Sequence, residues 1–173
     1  MWWLVGVVVV VALCATYITW TASRVERLHT RAEDAAAALI GKLDVRAKAA
    51  LVLADTRADR LGRHAEALRA VAFGALESLP EERQGAENDL TGILRDLPLP
   101  ADDPAMEDVR RASQRVAIAK QVHTDVVRDA LTARSRRLPR LFRLARKLRR
   151  PEYFDIDDPS WAPAAAVSPR RRL

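Results

Sequence analysis

An all-α fold, in which a transmembrane helix leads into a helical bundle, is what three features of this 173-residue sequence predict. Residues 2–23 carry no charged side chain and are rich in Val, Leu and Ile. Beyond them, apolar residues recur at steps of three and four over most of the chain, the spacing of one helix face. Aromatic residues are scarce outside the first stretch and the tail, so the core has to be built from Ala, Leu and Val. That composition favours closely packed helices, because alanine is the best helix former and lets backbones approach.

The first stretch reads as a membrane span. From Trp3 to Trp20 a helix rises about 26 Å, close to the roughly 30 Å of hydrocarbon in a bilayer. Only a helix satisfies its own backbone groups there, so even the valine run is expected to be helical. Trp2 and Trp3 at one end, and Tyr17 and Trp20 at the other, stand where amphipathic rings settle at headgroup level. No Lys or Arg precedes the span, whereas Arg24, Arg27 and Arg31 follow it at once, and basic residues are retained on the cytoplasmic side. The expectation is a single-pass protein of the cell (inner) membrane with its N-terminus outside and its bulk in the cytoplasm. A cleaved secretory signal is the competing reading. It wants a basic stretch before its apolar core, and Met1-Trp2-Trp3 offers none beyond the α-amino group.

The bundle is expected over residues 24–138. Leu28, Ala32, Ala36, Leu39, Leu43, Ala47, Ala50 and Ala54 lay one apolar stripe along a helix, and Leu61, Ala65, Leu68, Ala72, Leu76 and Leu79 lay a second. Gly62-Arg63-His64 is the weak break between them, and periodicity leaves open whether residues 24–79 form one long helix or a hairpin. Pro80 marks a boundary. Residues 86–97 then present Leu90, Ile93, Leu94 and Leu97 on one face, enough for a three-turn helix. Pro98, Pro100 and Pro104, with Asp102 and Asp103, make a loop, and Asp103 before Pro104 is a helix-start signal. The last long helix is expected from about 105 to 137, seamed by Val109, Ala112, Val116, Ala119, His123, Val126, Ala130 and Ala133.

These residues resemble the LemA family of bacterial membrane proteins. The similarity is carried by Ala86-Glu87-Asn88-Asp89-Leu90-Thr91-Gly92-Ile93-Leu94, by Arg115-Val116-Ala117-Ile118-Ala119-Lys120 with Asp125-Val126-Val127-Arg128-Asp129, and by Pro151-Glu152-Tyr153-Phe154-Asp155. It covers nearly the whole chain up to Asp157. The resemblance implies a short extracytoplasmic N-terminus, one span and an antiparallel bundle of about four helices. It implies no enzyme. There are departures: a proline-containing run usual in the family is here Val45-Arg46-Ala47-Lys48-Ala49-Ala50-Leu51-Val52-Leu53, without the proline, and His123 and Thr124 replace an aromatic residue and an amide.

Chemistry is harder to find. One cysteine, inside the span, excludes an internal disulfide framework and a Cys-rich zinc site. His29, His64 and His123 lack ligand spacing, and the expectation is two exposed histidines and one on a seam, with no metal. No glycine-flanked serine elbow and no phosphate-cradling glycine loop is present. The adjacent acids Glu33-Asp34, Glu81-Glu82 and Asp102-Asp103 diverge on a helix and read as solvated faces, caps or loop charges. No catalytic residue and no cofactor is expected. Asn88 and Arg115, in apolar-periodic helices, are candidate determinants of bundle register.

Between residues 134 and 150 nine side chains are basic and none is acidic. Leu138, Leu141, Phe142, Ala145 and Leu148 keep helical spacing there, so 139–150 reads as a basic amphipathic segment. Arg137, Arg140, Arg143, Arg146, Lys147, Arg149, Arg150 and Phe142 are candidate contacts to anionic lipid headgroups, against a plain solvated helix. Nucleic acid is disfavoured as a partner, because Phe142 is the one aromatic ring in the segment. Residues 151–173, rich in Pro and Ala, cannot bury enough apolar surface to fold alone and are expected to be a disordered tail. Residues 1–23 complete the division as the anchor. The functional expectation is a membrane-anchored bundle with a structural or protein-interaction role, its protein partner in the membrane or cytoplasm unnamed. The alternatives are an anchor or accessory subunit that recruits an enzyme, or a nucleic-acid tether through 134–150.

Overall fold

A computed structural model describes residues 1–100, 103–135 and 152–157. Among them the chain forms five helices and no strand: α1 (Trp2–Thr56), α2 (Ala58–Leu61), α3 (Arg63–Glu77), α4 (Arg83–Arg95) and α5 (Met106–Ser135). The chain divides into two compact units, Met1–Ala37 with Val122–Tyr153, and Ala38–Gln121 with Phe154–Leu173. The first unit takes the beginning of α1 and the end of α5, and the second takes the converse. Within the second unit Leu43 of α1 packs with Val116 of α5 while Arg57, just past α1, meets Asp103, just before α5, so the two helices run antiparallel there.

In the first unit, an 18-residue window near the start of α1 is apolar enough to cross a membrane, and none of it is covered by the rest of the protein. Its polar hydroxyls are turned inward along the helix. Thr16, Thr19 and Thr21 donate to the carbonyls of Ala12, Ala15 and Tyr17 at 2.8–2.9 Å, which spares them an unpaired hydrogen-bonding group in an apolar setting. Burial begins at Val25 and continues through His29 and Ala32, and Ala32 packs with Val127 and Ala130, flanked by Leu28 and Leu131.

The second unit holds the larger core. Ala47, Ala50, Leu53 and Ala54 of α1 join Leu61 of α2, Ala65, Leu68, Ala72 and Ala75 of α3, Leu90 and Leu94 of α4, and Met106 and Val109 of α5. The many alanines let helix backbones approach closely. A smaller cluster of Leu39, Leu43 and Val116 is closed by Ile156.

The structure decides the open question over residues 24–79 in favour of a hairpin. α1 ends at Thr56, and Arg69 of α3 reaches back to Asp55 at 2.7 Å and to the Ala54 carbonyl at 3.3 Å, one of the otherwise orphaned acceptors at the helix end. Gly62 is where the chain turns, at φ 53° and ψ −125°, a backbone region nearly confined to glycine. A Cβ there would meet nothing within 4 Å, so the cost of Gly62→Ala is backbone strain alone. Gly62→Ala is expected to lower unfolding stability by about 1–3 kcal/mol, read as a shift in denaturant midpoint at constant slope. An unchanged midpoint would show that the turn tolerates another conformation.

Several expectations are corrected. α4 starts at Arg83, three residues before the expected 86, because the Arg83 N–H donates to the Leu79 carbonyl and the turn after Pro80 runs straight into the helix. Leu79 is 56% exposed, and Ala75, one turn earlier, takes the core position. On α5 the buried valine is Val127 rather than Val126. Within the expected disordered tail, 151–173, the described residues 152–157 are tied to the bundle: Ile156 is buried, the Lys120 ammonium donates to its carbonyl, and the Asp157 N–H donates to Asn88 Oδ1 at 2.8 Å. The whole of the basic segment 139–150, with Arg137, and residues 158–173 lie outside the described residues.

Candidate functional site

The densest polar constellation in the second unit is buried. Arg46 on α1 and Glu87 on α4 are 1% and 0% exposed at their side chains, and Arg46 Nη1 stands 3.6 Å from Glu87 Oε2. That is an ion pair without a hydrogen bond. Arg46 Nη2 donates to Thr91 Oγ1 at 2.6 Å, and Thr91, one turn after Glu87, donates to the Glu87 carbonyl at 2.8 Å. Arg83, one turn before Glu87, donates through Nε to Glu87 Oε1 at 3.2 Å and through Nη2 to Asp44 Oδ1. Two guanidiniums and two carboxylates thus lock α1 to α4, with helical spacing placing 83, 87 and 91 on one face.

The electrostatics follow from burial. Burial pushes the Glu87 carboxyl above the usual carboxylate range, opposed by the positive charges of Arg46 and Arg83. Arg46 is pulled below the ordinary arginine value, again by burial first, with Glu87 opposing and Arg95 adding repulsion. Arg46 Nε and Nη1 and Glu87 Oε2 have no hydrogen-bond partner. With both side chains essentially inaccessible, no substrate reaches these groups. The arrangement fixes which turn of α1 faces which turn of α4 rather than offering an acid and a base to a ligand.

A second hub is Asp103. Its carboxylate takes Arg57 Nη2 at 3.1 Å and Arg60 Nη1 at 3.1 Å, while Oδ1 accepts the Ala105 N–H at 2.9 Å at the start of α5. The Ala105 N–H and then the Arg57 side chain hold it below the usual carboxylate range. The expected helix start at Asp103-Pro104 is therefore in place, and the same carboxylate also clamps the α1–α2 turn.

The histidines depart from expectation. His29 is buried at 6% exposure, not exposed, because it stands one turn before Ala32 on the packed face of α1. His123 is buried on the α5 seam as expected, and its Nδ1 has no hydrogen-bond partner. Burial holds His123 below the ordinary histidine value. The folded state thus binds its proton less readily than the unfolded chain, so stability is present above the unfolded value and is lost as pH falls through it. Unfolding temperature is expected to fall between about pH 7 and pH 5, and His123→Leu is expected to flatten part of that slope. A His123→Leu slope equal to that of the wild type would remove His123 from the account.

Of the two candidate register residues, Asn88 is half-buried and binds the returning segment through Asp157 rather than a facing helix. Arg115, the other candidate for bundle register, is exposed, and Ser113 and Val116 occupy the buried face beside it. The buried arginine is Arg46. Trp2, Trp3, Tyr17 and Trp20 are all exposed on the apolar part of α1, with Tyr17 and Trp20 rings 6.2 Å apart and Arg24 5.8 Å over Trp20. Arg24, Arg27 and Arg31 are exposed just beyond. Arg140, Arg143, Arg146, Lys147, Arg149, Arg150 and Phe142 lie outside the described residues. Among the described residues no group of three His, Cys, Asp or Glu side chains could hold a metal ion.

No family model, no curated protein and no solved structure matches the chain.

Proposed function

We propose that this chain is a single-span membrane protein whose helical bundle lies on the cytoplasmic side and serves a structural or protein-interaction role, in the manner of the LemA family it resembles. One observation carries the reading. α1 leaves Val5, Val7, Val8, Val9, Val10, Val11 and Leu13 about half or more exposed, on a helix whose later turns are packed into cores. Water would penalise so large an apolar surface, whereas lipid is its natural solvent. The exposed arginines that follow support a cytoplasmic bundle under the positive-inside rule. In this reading the buried ion cluster holds the bundle in register, and the chain does not act as a catalyst.

Protease added to whole cells tests the orientation. The C-terminal region is expected to resist digestion until the membrane is permeabilised. Its digestion in intact cells would reverse the topology, and recovery of a shortened chain in the medium would replace the anchor with a cleaved signal.

A further inference from the structure

An open cleft of about 510 Å³ lies in the first unit, lined by Arg128, Leu131, Thr132, Arg134 and Ser135 of α5 and by Tyr153 of the returning chain. Residues 128, 131, 132 and 135 share one face of α5 by their spacing. Among the described residues the lining has two guanidiniums, three hydroxyls and one leucine, and no carboxylate. Guanidinium forks match phosphate oxygens in geometry and charge, and hydroxyls can donate to the oxygens that remain.

Its position narrows what the phosphate belongs to. Val127 and Ala130 pack with Ala32, which puts Arg128 level with Ala32, about 18 Å along α1 from Trp20, while Arg134, six residues further along α5, falls beside α1 residues on the span side of Ala32. Val25 and Leu28 are five and eight residues beyond Trp20, about 8 to 12 Å along the axis. That is the level at which the headgroups of a bilayer give way to water, if Trp20 marks its edge. Around this level Arg24, Arg27, Arg31, Arg128 and Arg134 stand with Glu26, Glu33, Asp34, Asp125 and Asp129. Arg128 meets Asp125 at 3.2 Å, but both side chains are more than half exposed, so the pair is weak enough to exchange for a phosphate.

We infer that this cleft binds the phosphate headgroup of an anionic phospholipid, with Arg128 and Arg134 on the phosphate and Leu131 toward the glycerol end. The inference rests on the membrane reading of residues 2–23. It does not depend on the side the bundle occupies, since both leaflets present phosphate.

The test uses the full chain in nanodiscs of equal phosphatidylglycerol and phosphatidylcholine, with native mass spectrometry of the lipids retained on gentle release. Phosphatidylglycerol is expected to be enriched about thirtyfold, the order that two arginines near anionic lipid supply. Arg128→Gln with Arg134→Gln is expected to bring the two lipids near parity. Arg111→Gln with Arg115→Gln, in the other unit, is expected to leave the enrichment unchanged. Equal retention by the wild type, or full enrichment in the Arg128/Arg134 variant, would overturn the inference. So would displacement of lipid by millimolar inorganic phosphate, which would make the cleft a site for a free anion. A chain that incorporates into nanodiscs without lipid preference sinks this inference alone, whereas one that does not incorporate sinks the membrane reading with it. Should the double variant fold poorly, Arg128→Gln alone, at an exposed position, is expected to show a smaller loss in the same direction.

Discussion

Arg46→Met is expected to destabilise the bundle by about 3–5 kcal/mol, the cost of breaking a buried pair and leaving one charge behind. Glu87 is the group left behind. It is fully buried, and after the substitution it retains one cationic neighbour, Arg83, through Nε at 3.2 Å. Thr91 loses the guanidinium that donated to its hydroxyl but keeps its own bond to the Glu87 carbonyl. The loss therefore falls on the carboxylate. Thermal and denaturant unfolding of the detergent-solubilised chain, followed by circular dichroism, reads it. A loss below about 1 kcal/mol would mean that Glu87 is already neutral or hydrated in the folded protein, and that Arg46 is not what holds it.

The double variant Arg46→Met, Glu87→Leu separates register from net stability. With both charges gone, the apolar pair fills similar space without a desolvation cost, and stability is expected to return to within about 1 kcal/mol of the wild type. Arg83 keeps Asp44 in that variant. The pH dependence of the single variant gives an independent check. Removing Arg46 removes a charge that lowers the Glu87 value, so burial pushes the carboxyl up further. A raised carboxyl contributes stability below its unfolded value and loses it as pH rises through the folded one. The deficit of Arg46→Met is thus expected to shrink as pH falls from 7 toward about 4.5. A deficit that grows on acidification would contradict this account of Glu87.

How far these features were legible in the sequence differs by kind. The apolar run of α1, the stripe from Leu39 to Ala54 and the start signal at Asp103-Pro104 are local, and each is in place. Gly62 was visible as a weak break, since an isolated glycine is equally at home inside a helix; its positive φ comes from the hairpin closing around it. Near misses such as Ala75 for Leu79, or Val127 for Val126, arise because periodicity gives a face to within one position, and neighbours decide which residue is central. The Arg46–Glu87 pair joins residues 41 positions apart in sequence. Its trace was nonetheless there: Arg46 falls between Leu43 and Ala50 on the apolar stripe, and Glu87 lies three residues before Leu90 on the face of α4. Charged residues at core positions of two helices ask for each other. Arg115, by contrast, lies one residue before the buried Val116, and a turn of about 100° per residue is enough to carry it into solvent.

Val8→Arg with Val9→Arg is expected to release the chain from the membrane. Nine Leu, Ile and Val side chains between Trp2 and Trp20 favour insertion by about 3 to 5 kcal/mol on the biological insertion scale, while two arginines near the centre oppose it by about 5 to 7. The balance changes sign. The threonines do not offset this, because their hydroxyls are already bonded to carbonyls one turn back. After carbonate extraction the wild type is expected in the membrane pellet and the variant in the supernatant. The bundle's helical signal should be retained, since Val8 and Val9 touch neither of its cores. A variant that stays in the pellet as a folded protein would move the anchoring away from α1. Arg24, Arg27 and Arg31 stand just beyond the apolar run, where a lipid-buried helix tolerates cations that its centre would not.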